Sequence, residues 1–78
     1  MDRIQAMTVF AEVAKLGSFV SAAEQLSMSA PAVTRAIAML ETQLNTRLFH
    51  RTTRRIRLTE AGQQYLSDVK RILADIAQ

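Results

Sequence analysis

The sequence predicts a mainly α-helical domain, in which three short helices are followed by an arginine-rich β-hairpin and a longer fourth helix. Three observations carry this prediction. Small Ala22 and Ala23 precede a short polar break, Ser27-Met28-Ser29, after which Val33, Ile37, Leu40 and Leu44 recur at helical spacing. Between Leu48 and Leu58 the period changes to two, with Ile56 and Leu58 alternating with Arg55 and Arg57. From Thr59 the helical period returns and continues to the chain end.

Seventy-eight residues, 49% of them apolar, suit one small folded domain whose single core is only marginally sufficient. No cysteine is available for a disulfide or a thiolate metal site, so a partner subunit is the expected supplement. No apolar run is long enough to span a membrane, and the start at Met1-Asp2-Arg3 carries no signal-peptide core. A cytoplasmic protein is therefore expected.

Asp2 is placed to cap a first helix that runs to about Leu16 and closes at Gly17 in the left-handed conformation. Ile4, Met7, Phe10, Ala11 and Ala14 form its main apolar stripe. Val9, Val13 and Leu16 form a second stripe, available to pack against helix four of either subunit. Ser18 caps a short second helix through Leu26, with Phe19, Ala22, Ala23 and Leu26 turned inward. Bulkier residues at 22 and 23 would push the next helix away. Met28 plugs the corner, Ser29 caps the third helix, and Pro31 sits in its first turn, where a missing amide hydrogen costs nothing. Asn45 ends that helix, as a residue that tolerates positive φ. Thr52-Thr53 is the best turn candidate of a hairpin with Phe49 packed inside, although an irregular arginine-rich loop fits almost as well. Thr59 caps the last helix, and Glu60 suits its positive end. About 19 residues of helix would reach roughly 28 Å, further than three short helices can cover. Its stripe of Tyr65, Leu66, Val69, Ile72, Leu73 and Ile76 is therefore expected to form a dimer interface. The absence of a helix stop at Gln78 suggests a piece of a longer protein.

The net charge of +3 is modest but unevenly placed. Arg47, Arg51, Arg54, Arg55 and Arg57 crowd one stretch with His50, and no acid lies between Glu41 and Glu60. Such a block attracts polyanions through Coulomb steering and counterion release. Beside it, Ala30, Pro31, Thr34, Arg35 and Ala38 share the helix-three face opposite Val33 and Ile37. This face is short, polar and free of acids, as entry into a DNA groove requires. Arg35 has the fork geometry for guanine O6 and N7, or for a phosphate. Thr34 can donate or accept at a base edge, and Ala30, Pro31 and the Thr34 methyl suit thymine methyl groups. Ser29, with the free amides of the helix start, offers a backbone phosphate an anion site. Arg54 and Arg55, near the hairpin tip, are placed for a minor groove or flanking phosphates. Arg51 and Arg57 are placed for the backbone beside them, or else for ion pairs with Glu41 or Glu60.

Enzyme chemistry finds little to work with. One histidine, no cysteine, no glycine-rich phosphate loop and scattered acids give no nucleophile–base pair and no metal cluster. No cofactor is expected. The competing reading is a helical protein-interaction or dimerisation module, its arginines serving only solubility.

With these residues assembled, the chain resembles the N-terminal DNA-binding domain of LysR-type bacterial transcriptional regulators over its whole length. The resemblance is carried by Gly17-Ser18-Phe19, Ala22-Ala23-Glu24-Gln25-Leu26, the run from Ser29 to Ile37, Leu40-Glu41, Leu48-Phe49-His50-Arg51 and Leu58-Thr59-Glu60-Ala61-Gly62. It implies a winged helix-turn-helix over residues 1–58, with a recognition helix at about 29–44 and a wing at about 49–58. A linker helix over 59–78 would pair two subunits. It also implies DNA contacts at Ser29, Ala30, Pro31, Thr34 and Arg35, with Arg54 or Arg55 in the wing. The double-stranded site would be an inverted repeat bound by a homodimer, with half-sites roughly 34 Å apart or a multiple of that. Family members usually carry a larger C-terminal domain that senses a small-molecule inducer, a domain expected to lie outside these 78 residues. Ala30 and Ala36 stand where the family often has glutamine or another polar residue, which removes possible adenine contacts and leaves more to Arg35, the wing and DNA shape. Ser27 and Asn45 replace common glycines.

Overall fold

Each helix starts where a short polar side chain replaces the bond that the helix cannot make to its own first amides. In the computed structural model, which describes residues 1–52 and 56–77, the Asp2 carboxylate accepts the Gln5 amide at 2.7 Å and opens α1 (Arg3–Leu16). The Ser18 hydroxyl accepts the Ser21 amide at 3.1 Å and opens α2 (Phe19–Leu26). Ser29 does the same for α3 (Ala30–Leu44), taking the Ala32 amide at 3.2 Å. Thr59 opens α4 (Glu60–Ile76) through the Gly62 amide at 2.8 Å. Gly17, Ser27 and Asn45 close the first three helices in the left-handed region, at φ 66°, 55° and 52°. Only Gly17 enters that region without a Cβ penalty; the serine and asparagine tolerate it.

Between α3 and α4 lies an antiparallel hairpin, β1 (Phe49–Arg51) and β2 (Ile56–Leu58), paired Phe49↔Leu58, His50↔Arg57 and Arg51↔Ile56. The expected turn residue Thr53, together with Arg54 and Arg55, lies outside the described residues.

At the centre is α1, packed against α2, α3 and α4. Its core face consists of Ala6, Met7, Val9, Phe10 and Val13, all buried. The expected division into two stripes is thus corrected. Val9 and Val13 belong to the main core, Ile4 and Leu16 are exposed, and Ala11 and Ala14 lie at the margin. A helix touching three neighbours needs one broad apolar face rather than two narrow ones. Ala22 and Ala23 are buried at the α1–α2–α3 contact, where a larger residue would separate the helices.

Two further corrections fall on α3. Ala36 is buried with Val33, Ile37 and Leu40, so a side chain at this position faces the core rather than a groove. Leu44, expected inside, is exposed at the last turn of α3.

The stripe on α4 is largely consumed at home. Val69 has no exposed surface and packs into the core built around α1, so it has nothing to present to a second subunit. Tyr65, Leu66, Ile72 and Leu73 are half-buried against the same core, and Ile76 is exposed. A chain of three helices covers more of the fourth than length alone suggests, because α1 runs alongside it.

Aromatic rings join the hairpin to this core. Phe10 contacts Phe49 and Tyr65 at centroid distances of 5.3 and 5.2 Å, and Phe19 meets Phe49 at 6.1 Å. Such tilted and edge-on pairs are favoured over face-to-face stacking by the ring quadrupole.

Candidate nucleic-acid interface

The short polar face of α3 is open. Pro31, Thr34, Arg35 and Ala38 are exposed, Ala30 is half-buried, and the exposed Ser29 stands at the helix start. Neither Thr34 nor Arg35 is covered by α4, the occlusion that would have closed this face. Among the described residues Arg35 makes no ion pair and no hydrogen bond, so its guanidinium is available to an outside acceptor.

Two expectations narrow. Thr34 Oγ1 donates to the Ala30 carbonyl at 3.1 Å, which uses its one proton within the helix and leaves lone pairs for an outside donor. At the start of α3 the Ala32 amide donates to Ser29 Oγ and the Val33 amide to the Ser29 carbonyl, while Pro31 has none. The anion site expected there is therefore reduced to the Ala30 amide and the Ser29 hydroxyl.

Glu41 is the one acid on α3, one turn beyond Ala38 and bordering the open face, and its carboxylate is drawn toward the hairpin entry. Its side chain is only 12% exposed, and it meets the segment leading into the hairpin. One carboxylate oxygen accepts the Leu48 amide at 2.8 Å and lies 3.8 Å from Arg47 Nε; the other lies 3.4 Å from Arg51 Nη2. The Arg51 guanidinium also sits 5.0 Å from the centre of the Phe19 ring, within cation–π range. Of the two roles open to Arg51, the structure displays the ion pair. Arg47 is paired to the same carboxylate but is well exposed, a geometry that contributes little.

The hairpin is further held by Thr59. Its hydroxyl donates to the Arg47 carbonyl at 2.7 Å and its amide to the Leu48 carbonyl at 3.0 Å. Gly62, one turn into α4, lies so close to that Leu48 carbonyl that a Cβ would overlap it. His50 and Arg57 face one another across the strands and are both exposed, giving the hairpin a basic outer surface. Arg54 and Arg55 lie outside the described residues.

The sequence offered the Arg51–Glu41 ion pair as one of two roles, and the structure displays it; sequence reasoning missed the Leu48 amide on the same carboxylate and Phe19 as the platform beneath Arg51. The available signal was a lone acid flanked on the C-terminal side by arginines. Among the described residues no group of three or more His, Cys, Asp or Glu side chains is placed to hold a metal ion. Among them, too, no helix is long and apolar enough to cross a membrane.

A family model described as bacterial regulatory helix-turn-helix protein, lysR family, matches residues 4–63. The chain is 42% identical over 76 residues to the HTH-type transcriptional activator AaeR of Escherichia coli (strain K12), covering 97% of this chain and 25% of that one. It is 48% identical over 71 residues to the HTH-type transcriptional regulator CrgA of Neisseria meningitidis serogroup C (strain 8013), covering 91% and 24% respectively. The chain thus spans about a quarter of the length of the curated relatives it matches. A crystal structure of a CbnR DBD–DNA complex matches it with a TM-score of 0.92 at 36% identity, over 99% of this chain and 87% of that one. On the strength of the matched family model and these four helices with their hairpin, the chain belongs to the LysR family of bacterial regulatory helix-turn-helix proteins.

Proposed function

We propose that this chain is the sequence-specific, double-stranded-DNA-binding part of a bacterial transcription regulator, with α3 seated in the major groove. The observation that carries the reading is the exposed, acid-free face of Pro31, Thr34, Arg35 and Ala38, on which the Arg35 guanidinium has no partner among the described residues. In this reading Arg35 reads a base or grips a phosphate, Thr34 accepts from a base edge, and Ala30 and Pro31 meet thymine methyl groups. Ser29 meets the backbone, and Arg54 and Arg55 reach the minor groove or its phosphates from the wing. The similarity to the CbnR DBD–DNA complex supports DNA binding by this fold.

The chain acts as a homodimer through the outer side of α4, where Leu66, Ile72 and Leu73 remain partly open and Ile76 is exposed. The relatives are about four times as long, which supports a larger protein; that its further domain takes a small-molecule inducer is what the family resemblance implies.

Titration with promoter-like and random duplexes at two salt concentrations tests the reading. Tighter binding to selected sequences and a steep salt dependence are expected. A chain that binds neither class appreciably would be an interaction module instead. Arg35→Ala should weaken specific binding by about 1–3 kcal/mol and relax the preference at one position if the arginine reads a base.

A further inference from the structure

An acid beside a DNA-binding face repels the ligand, so its presence calls for a compensating role. Glu41 is such an acid. Its carboxylate draws together three donors from the segment entering the hairpin: the Leu48 amide at 2.8 Å, Arg51 Nη2 at 3.4 Å and Arg47 Nε at 3.8 Å. Leu48 is completely buried, and its carbonyl accepts the Thr59 amide at 3.0 Å. The peptide groups flanking this one residue therefore tie α3, through Glu41, to the start of α4. Arg51 is held from two sides, by Glu41 and by the Phe19 ring 5.0 Å away, and Phe19 in turn packs on Phe49 of the same strand. Turning Arg51 outward to a phosphate would strip a carboxylate only 12% exposed of a charged partner just as a polyanion approached.

We propose that Glu41 is a positioning residue that sets the hairpin against α3, and that Arg51 acts through Glu41 rather than as a phosphate contact. The proposal rests on the DNA-binding reading for its functional consequence. The Glu41 carboxylate fixes where the first strand leaves α3, so that the wing and the reading helix meet one duplex in a single register. Arg51 neutralises that carboxylate and fixes its direction, with Phe19 as the platform.

The test is a cycle of Glu41→Ala, Arg51→Lys and the double variant in the full chain. It is read by binding to a selected duplex over a range of salt and by hydrogen exchange at the Leu48 amide in the free protein. Loss of a charge-assisted anchor should weaken DNA binding about tenfold in Glu41→Ala, although an acid has been removed. Leu48 exchange should accelerate. Arg51→Lys keeps the charge but not the fork, so it should weaken binding in the wild-type background and have no further effect in Glu41→Ala. Tighter binding by Glu41→Ala, unchanged Leu48 exchange, or an Arg51→Lys effect that persists without Glu41 would overturn the proposal. Should Glu41→Ala fail to fold, Glu41→Gln replaces it in the DNA-binding cycle; its amide oxygen can still accept from Leu48, so weaker duplex binding and loss of the Arg51→Lys effect are the criteria, and their absence would overturn the proposal. Wild-type protein that binds no duplex would remove the DNA reading, whereas Leu48 exchange still decides the anchoring role on the free protein.

Discussion

Replacing Gly62 with alanine sets two well-measured effects against each other. In the first turns of an exposed helix this change normally stabilises, by up to about 1 kcal/mol, because alanine loses less backbone freedom on folding. Here the new Cβ would point at the Leu48 carbonyl and would also come within 3.0 Å of the Leu58 side chain. The carbonyl cannot simply retreat, since it accepts the Thr59 amide at 3.0 Å. Forcing α4 away costs about 1–3 kcal/mol in overpacking, and weakening that hydrogen bond adds about 1 kcal/mol. The net expectation is a loss of about 2 kcal/mol, or roughly 8–16 °C in melting temperature for a domain this size. Thermal and urea melts followed by circular dichroism measure it, and faster hydrogen exchange at the Thr59 amide should accompany it. A variant melting at or above wild type would refute the close approach of α4 to the hairpin entry.

Other expectations follow from burial and charge. Val69→Asp places an unpaired carboxylate in the core and should cost several kcal/mol of stability, whereas Ile76→Asp should leave the melt within about 0.5 kcal/mol and weaken only self-association, as sedimentation would report. Ala22→Leu should destabilise by about 1–3 kcal/mol, because the site has no free surface into which the side chain could turn, and a chemical melt measures the loss. Burial raises the Tyr65 phenol above its ordinary value of 10.0, with the Arg3 charge opposing only partly. The neutral phenol is thus the form the fold favours. Its contribution is complete below pH 10.0, declines as pH rises toward the higher folded value, and should vanish from an alkaline stability titration in Tyr65→Phe.

What was legible in the sequence were the features decided within a few residues. Asp2, Ser18, Ser29 and Thr59 cap the helices they were expected to cap, because a side chain reaching an amide three positions on needs no information from elsewhere. The alternation at Ile56 and Leu58 likewise marked the second strand. The misreadings concern faces chosen by distant partners. Which residues of α1 are buried depends on where its neighbours lie, so Val9 and Val13 are buried as a partner helix would require, while Ile4 and Leu16, counted in the stripes, are exposed. Ala36 was passed over because a small residue contributes little to an apolar pattern, and Leu44 was included because its spacing continued the pattern to the last residue of α3. On the candidate site, the openness of Thr34 and Arg35 could be read from helical geometry alone. The grip of Glu41 was legible only as one of two roles open to Arg51; its bond to the Leu48 amide and the Phe19 platform were not, since they depend on how the chain turns after α3.

The burial of Val69 beneath α1 has a mechanical consequence. The expected boundary between residues 58 and 59 runs through one shared core, so the long helix is not a tether hung from a separate head. With its middle keyed to α1, a twist applied at the distal turn near Ile76 would be passed on as a rotation of the whole body rather than absorbed by bending. A second body attached beyond that turn would aim the Arg35 surface the way a handle aims a key.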